Sequence, residues 1–86
     1  MDERDFNEIV STAIKGGLGR VMKQSLTKRL FAGSYNGQRV EVEYTIYPQY
    51  IEIAELRLYR GMTPVSYRFS KLCVAKDSFI GENFLR

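Results

Sequence analysis

Polar and apolar residues alternate through the middle of the chain, which is the pattern of a strand with one buried face. The apolar positions of this run are Val40, Val42, Tyr44 and Ile46, and the positions between them are Arg39, Glu41, Glu43 and Thr45. Because the period is two, all four apolar side chains share one face. The run therefore predicts a half-buried strand.

The dipeptide Asn36-Gly37 predicts a tight turn just before this strand. A type I′ hairpin needs positive φ at both central residues, and this dipeptide tolerates it. The turn pairs Tyr35 with Gln38 and Phe31 with Val42, so we expect a short first strand from about residue 30 to residue 35.

A second hairpin follows at residues 47–50, where it sets Ile46 against Ile51. A third turn at residues 61–64 leads into the last strand. The alternation of that strand points Val65, Tyr67 and Phe69 inward. The sequence thus predicts four strands in meander order.

The third strand changes the phase of its alternation midway. An uninterrupted register would place Glu55 on the apolar face, where Leu56 belongs. A β-bulge at Ala54-Glu55 resolves the conflict. With the extra residue Leu56 meets Val42 inside, and Arg57 lies opposite Glu41 outside as a favourable cross-strand charge pair.

The N-terminal third has the three-four spacing of an amphipathic helix. Three glycines at positions 16, 17 and 19 interrupt it, at a cost of roughly 1 kcal/mol each inside a helix. We therefore predict two helices, about Glu3 to Lys15 and Arg20 to Arg29. A single long helix remains an alternative.

A short closing helix is predicted after Asp77 or Ser78, either of which can cap it. Its apolar side comprises Phe79, Ile80, Phe84 and Leu85. The predicted fold class is α+β, a single domain over residues 1–86. It has one or two N-terminal helices, a four-stranded antiparallel β-meander with a bulge in the third strand, and a short C-terminal helix, with the helices on one face of the sheet.

Composition argues against catalysis. The 86 residues include no histidine and one cysteine, Cys73, which stands in an apolar run and is expected to be buried. The carboxylates Glu41, Glu43, Glu52 and Glu55 favour a solvated salt-bridge face with nearby arginines over an acid–base or metal site. Residues 16–20 match no phosphate-binding loop, and we interpret them as a helix junction. No catalytic, cofactor-binding or metal-binding residue is predicted, and no cofactor.

Charge is unevenly distributed, although its net value is +3. Residues 11–39 hold six cations and no acid. On the predicted second helix Arg20, Lys23, Gln24, Thr27 and Lys28 occupy one arc, opposite an apolar arc. Such a face could bind an acidic protein surface or nucleic-acid phosphates, or be simply solvated.

Tyrosine is the other unusual feature, with six residues and no tryptophan. Tyr47 and Tyr50 share one predicted hairpin tip. Tyrosine rings supply rigid contact area at protein interfaces and also stack on unpaired bases, but tyrosine is in addition a good strand former. We predict this tip as a second contact region.

Together these features favour a non-catalytic binding protein that covers a surface of a larger protein or nucleoprotein partner, as an inhibitor or adaptor. Such compact proteins are common among products of phages and other mobile elements, which is an analogy. Direct nucleic-acid binding and a homo-oligomer are the alternatives. The acidic first residues and the lack of a long apolar run lead us to expect a cytoplasmic protein without a membrane partner.

Overall fold

A computed structural model describes residues 1–86 as two helices and one five-stranded sheet. In chain order the elements are α1 (Glu3–Lys15), β1 (Arg20–Lys23), β2 (Lys28–Tyr35), β3 (Gln38–Ile46), β4 (Ile51–Arg60), β5 (Thr63–Val74) and α2 (Phe79–Phe84). Each strand pairs antiparallel with its neighbours in the chain, in the order β1-β2-β3-β4-β5. The predicted α+β class, the antiparallel meander and the short C-terminal helix are confirmed, but the sheet has five strands and not four.

The first helix begins and ends where the sequence predicts. The Asp2 side chain caps it by accepting a hydrogen bond of 2.9 Å from the main-chain N–H of Asp5. Its apolar stripe is buried and consists of Phe6, Ile9, Val10 and Ala13. After Lys15 the chain leaves the helix, and Gly17 adopts a left-handed φ of 72°.

The predicted second helix from Arg20 to Arg29 is wrong. Residues 20–23 form β1, residues 24–27 form a loop, and Lys28 already begins β2. The main-chain groups of β2 that face away from β3 need hydrogen-bond partners, and β1 supplies them by pairing Val21 with Phe31 and Met22 with Leu30. The helical spacing of residues 20–29 is therefore overridden by pairing of residues 20–23 with β2.

Both predicted hairpins and the predicted bulge are confirmed. Asn36 and Gly37 have φ values of 49° and 77°, as a type I′ turn requires, and Tyr35 pairs with Gln38. Across the β3–β4 pair Tyr44 faces Ile53 but Glu43 faces Glu55, so Ala54 is the extra residue.

The helices cover one face of the sheet, which we call the inner face; the opposite one is the outer face. Fifteen buried residues from both helices and from β2–β5 form one core. Tyr44 lies at its centre, where its ring stacks on Phe84 of α2 with centroids 4.3 Å apart. Ser78 caps α2 by accepting a hydrogen bond from the N–H of Gly81. The predicted placement of the helices is thus confirmed.

Two side-chain predictions for β5 are wrong. Cys73 is exposed, because Leu72 and Val74 face the core and the residue between them must face outward. Val65, predicted to point inward, is 43% exposed. Tyr67 and Phe69 pack against the core as expected. No helix of the structure has the length and apolar character needed to cross a bilayer.

Candidate interaction surface

The antiparallel meander gathers most of the predicted contact residues at one end of the sheet. The β1–β2 loop (residues 24–27) and the β3–β4 turn (residues 47–50) both lie there, because β1 and β3 end where β2 and β4 begin. We call this the loop end. It carries Lys23, Gln24, Thr27, Lys28, Tyr47 and Tyr50, all of them exposed. Arg20 is exposed at the far end of β1.

The cations do not share one face, which corrects the predicted basic helix face. In the β1–β2 ladder Lys23 is opposite Arg29 and shares the inner side with Val21. Lys28 and Leu30 are two residues apart in β2 and therefore share a face, which is the outer one. A docking surface that uses both lysines must therefore wrap around the end of the sheet, and it cannot be flat.

Hydrogen bonds tie the β1–β2 loop to its neighbours. The N–H of Ser25 donates to the main-chain oxygen of Lys28 at 3.0 Å, and the N–H of Lys28 donates to Oγ of Ser25 at 3.0 Å. The N–H of Ile46 donates to the oxygen of Thr27 at 2.9 Å, so the loop is also attached to β3. At its tip Leu26 is 83% exposed. The loop thus presents an apolar side chain from a constrained backbone.

The β3–β4 turn carries a stacked pair of tyrosines. The rings of Tyr47 and Tyr50 lie 5.0 Å apart between centroids with 26° between their planes. The turn is closed by a hydrogen bond from the N–H of Tyr47 to the oxygen of Tyr50, and Nζ of Lys76 donates to the oxygen of Pro48 at 3.0 Å. Both rings remain nearly two-fifths exposed. They form a firm aromatic surface beside the β1–β2 loop.

The pKa of Tyr50 is raised, first by partial desolvation of its hydroxyl and then by the carboxylate of Glu52 and by its neighbours Tyr47 and Cys73. Glu52 and Cys73 are opposite each other in the β4–β5 ladder. The hydroxyl therefore stays protonated at neutral pH and can donate a hydrogen bond to a partner.

The lysines of the loop end have no internal counter-ion. All four ion pairs of the structure involve Arg39 or Arg57. No acidic residue occurs between Glu8 and Glu41 in the sequence. Lys23 and Lys28 are consequently free to meet an external anionic group.

Three of the four predicted carboxylates, Glu41, Glu43 and Glu55, form ion pairs on the outer face, but the side chains of Glu41 and Glu55 are only 13% and 16% exposed, so the face is not the solvated one that the sequence predicts. Arg57 lies within 3.3 Å of carboxylate oxygens of Glu41, Glu43 and Glu55. Its guanidinium occupies the space between the three acids. Burial lowers the pKa of Arg57, but the carboxylates outweigh that effect and raise it, so the charge is permanent.

Glu41 is the most tightly held of these acids. It accepts hydrogen bonds from the Tyr59 hydroxyl at 2.8 Å and from Arg57 and Arg39 at 3.1 Å. Burial alone would raise its pKa, but these donors outweigh burial and lower it. Glu52 and Arg68 make no ion pair in this network. The arrangement stabilises the outer face and leaves no free acid–base pair within it.

A groove that sequence reasoning missed lies beside β1. It has a volume of about 430 Å³ and is bounded by the α1–β1 connection, by Arg20 and Val21 of β1, and by Asn83 and Arg86 near α2. No local signal could have revealed it, because its walls are separated by some sixty positions in the chain. Arg20, remote from the loop end, belongs to this groove.

Comparison with protein-family models, with curated proteins and with solved structures finds no significant match to this chain. The functional interpretation consequently depends on the geometry described above.

Proposed function

We propose that this chain is a non-catalytic binding protein that covers a surface of a larger protein or nucleoprotein partner through its loop end. One observation carries the proposal: the exposed lysines Lys23 and Lys28, which have no ion pair, lie at the same end of the sheet as the stacked pair Tyr47–Tyr50. Gln24 and Thr27 add hydrogen-bonding groups between them. An inhibitor or adaptor acts by covering a partner surface, and such proteins are common among phage and mobile-element products.

The energetic roles follow from side-chain chemistry. Tyrosine is enriched among the residues that dominate binding energy, because a rigid ring gives a large contact area at low entropic cost. The stack between Tyr47 and Tyr50 holds both rings before a partner arrives. Exposed lysines instead steer an acidic partner and set the salt dependence of association. The tyrosines would then control dissociation and the lysines the rate of encounter.

The test compares tagged wild type with the triple variant Lys23→Ala/Lys28→Ala/Tyr47→Ala in affinity capture from lysate of the source cell. The matched control is Arg60→Ala/Met62→Ala/Lys71→Ala, which removes the same charge and one large exposed side chain elsewhere on the surface. We expect a defined partner to be retained by wild type and control, and capture by the triple variant to fall at least about tenfold. Equal capture by all three would refute the proposal.

Nucleic acid is the second candidate, because exposed aromatic rings beside unpaired cations can stack bases and neutralise phosphates. Fluorescence anisotropy with a labelled oligothymidylate and a labelled duplex distinguishes it. Binding that weakens steeply with salt, and that Lys28→Ala weakens further, would favour nucleic acid over the protein partner. Absence of binding at low salt would remove this candidate.

A further inference from the structure

We propose that the free edge of β1 binds an extended acidic segment of the partner as a sixth strand of the sheet. This inference rests on the proposed function, for which it names a docking mode and the chemistry of the bound segment. Addition of a strand to an exposed sheet edge is a recurring mode of peptide recognition, in which main-chain hydrogen bonds supply affinity and alternate side chains supply specificity.

The direction of the main-chain groups in β2 follows from one hydrogen bond. The N–H of Ile46 donates to the oxygen of Thr27, and these residues continue the β2–β3 register. In an antiparallel ladder the bonded pairs alternate, so the odd-numbered residues of β2 bond β3 and the even-numbered ones point toward β1. The bonds between Ser25 and Lys28 agree with this phase.

The same alternation identifies the free groups of β1. Arg20 and Met22 are opposite even-numbered residues of β2, and their main-chain N–H and C=O groups form hydrogen bonds with β2. The N–H and C=O groups of Val21 and Lys23 therefore point to the open edge. Two adjacent donor–acceptor sites of this kind are the template for one further strand.

The groove beside β1 supplies room and charge for that strand. Its polar side chains are Arg20, Asn83 and Arg86, and no carboxylate side chain lines it. Lys23 continues the same strand without an ion pair. A basic or neutral segment would gain nothing from these cations, whereas Asp or Glu side chains would meet them. Charge complementarity therefore selects an acidic occupant.

The side chains of β1 specify a four-residue pattern. Arg20 and Lys23 are its first and last positions, and Val21 and Met22 are its two middle ones. Directly opposite residues on paired strands are the closest side-chain neighbours. The bound segment should thus read acidic-apolar-apolar-acidic, in either chain direction.

A second copy of the chain is a poorer occupant. Only Val21 and Lys23 have free main-chain groups, so two β1 edges could pair antiparallel about Met22. This pairing would bring the cationic edges of both copies together and would supply no acidic side chain to Arg20 or Lys23. The other edge of the sheet is also less suited to strand addition. β5 carries Pro64 near its start, the exposed Lys71, and a register shift opposite Ala54, all of which blunt an edge.

The test is an NMR titration of the ¹⁵N-labelled chain with a blocked peptide that has Glu-Val-Leu-Glu at its centre. The control peptide has the same composition rearranged to Val-Glu-Glu-Leu. We expect saturable shifts of the Val21 and Lys23 amides at about millimolar peptide, and amide exchange there to slow about tenfold. Shifts confined elsewhere, equal effects of both peptides, or stronger shifts of the same amides with oligothymidylate would overturn the proposal.

Variants separate main-chain bonding from charge. Lys23→Ala keeps the N–H group and Lys23→Pro removes it, so we expect the proline variant to bind about tenfold more weakly than the alanine variant. Arg20→Glu should abolish binding of the acidic peptide and permit binding of a Lys-Val-Leu-Glu peptide, which keeps an acidic residue for Lys23. This charge reversal decides the question if the proline variant fails to fold. Equal peptide affinity of wild type and Arg20→Glu would refute an acidic strand.

Two further outcomes are informative. Light scattering that shows dimers of the chain without peptide, lost in Lys23→Pro, would assign the edge to a second copy. If the peptide produces no shift while partner capture still depends on Lys28 and Tyr47, the edge inference fails and the proposed function stands. If capture is independent of the loop end but the peptide binds at β1, the proposed function of the loop end fails and the edge inference stands.

Discussion

Tyr44 and Phe84 are joined by two interactions. The Tyr44 hydroxyl donates a hydrogen bond of 2.8 Å to the main-chain oxygen of Phe84, and the two rings stack 4.3 Å apart between centroids. The bond connects the C-terminal part of β3 to the last turn of α2. Because α2 has only six residues, it depends on such tertiary contacts and not on its own helix propensity.

We expect Tyr44→Phe to lower the free energy of unfolding by about 1–2 kcal/mol, because the buried oxygen of Phe84 loses its donor while the ring stack remains. Denaturant unfolding measures the change, and amide exchange in α2 should accelerate more than in α1. Tyr35→Phe is the matched control, since the Tyr35 hydroxyl makes no hydrogen bond within the chain. A loss of equal size in both variants would contradict the assigned role of the bond.

The hydrogen bond from Tyr59 to Glu41 should control the titration of that acid. Its folded pKa lies below the ordinary value of 4.5, so the ionised carboxylate stabilises the fold fully above that value, and the contribution is lost as pH falls through the folded pKa. We expect Tyr59→Phe to raise the pKa of Glu41 in a ¹³C-detected carboxyl titration.

The same variant should cost about 1 kcal/mol of unfolding free energy at pH 7, with the cost shrinking in acid below the folded pKa. Tyr47→Phe, whose hydroxyl has no carboxylate partner, is the control. An unchanged Glu41 titration in Tyr59→Phe would show that the arginines alone hold the carboxylate.

Gly19 lies between α1 and β1, and the sign of one substitution there distinguishes this arrangement from the alternative of a single long helix. In a helix Gly19→Ala would stabilise the chain by about 1 kcal/mol. In the structure a Cβ at this position would clash with Cζ of Phe31, so we expect Gly19→Ala to destabilise the chain by about 1–3 kcal/mol.

The double variant Gly19→Ala/Phe31→Leu should lose less stability than the sum of the single losses, because the shorter side chain removes the clash. Leu18→Ala, at a position that is 76% exposed, serves as the control and should have little effect. Thermal or denaturant unfolding measures all four proteins, and a stabilising Gly19→Ala would favour the helical alternative.

Much of the sheet could be predicted because its signals are periodic and bounded by a specific turn. The alternation from Val40 to Ile46 identifies the buried face, and Asn36-Gly37 sets the register. The misplaced Glu55 even reveals the bulge at Ala54, since no register without an extra residue keeps both Ile53 and Leu56 inside. The candidate tyrosines at residues 47 and 50 follow from the same turn.

The loop end could be predicted only in part. Its residues were identified by charge and residue type, but Lys23 and Lys28 were placed on one helix face, and the structure puts them on opposite sides of a strand pair. Spacing in residues 18–29 fits a helix, and nothing local reports that β2 needs a partner. The groove beside β1 depends on Asn83 and Arg86, far away in the chain.

By itself, the sequence determined α1, the two central hairpins, the bulge and the faces of the central strands, because each is encoded by a local period or a turn dipeptide with one low-energy geometry. Only the tertiary structure decided that residues 20–23 are a fifth strand, that Cys73 is exposed, and that Arg20 borders a groove. Those outcomes depend on which main-chain groups lack partners and on which side chains already fill the core, and neither quantity is a property of a short stretch of chain.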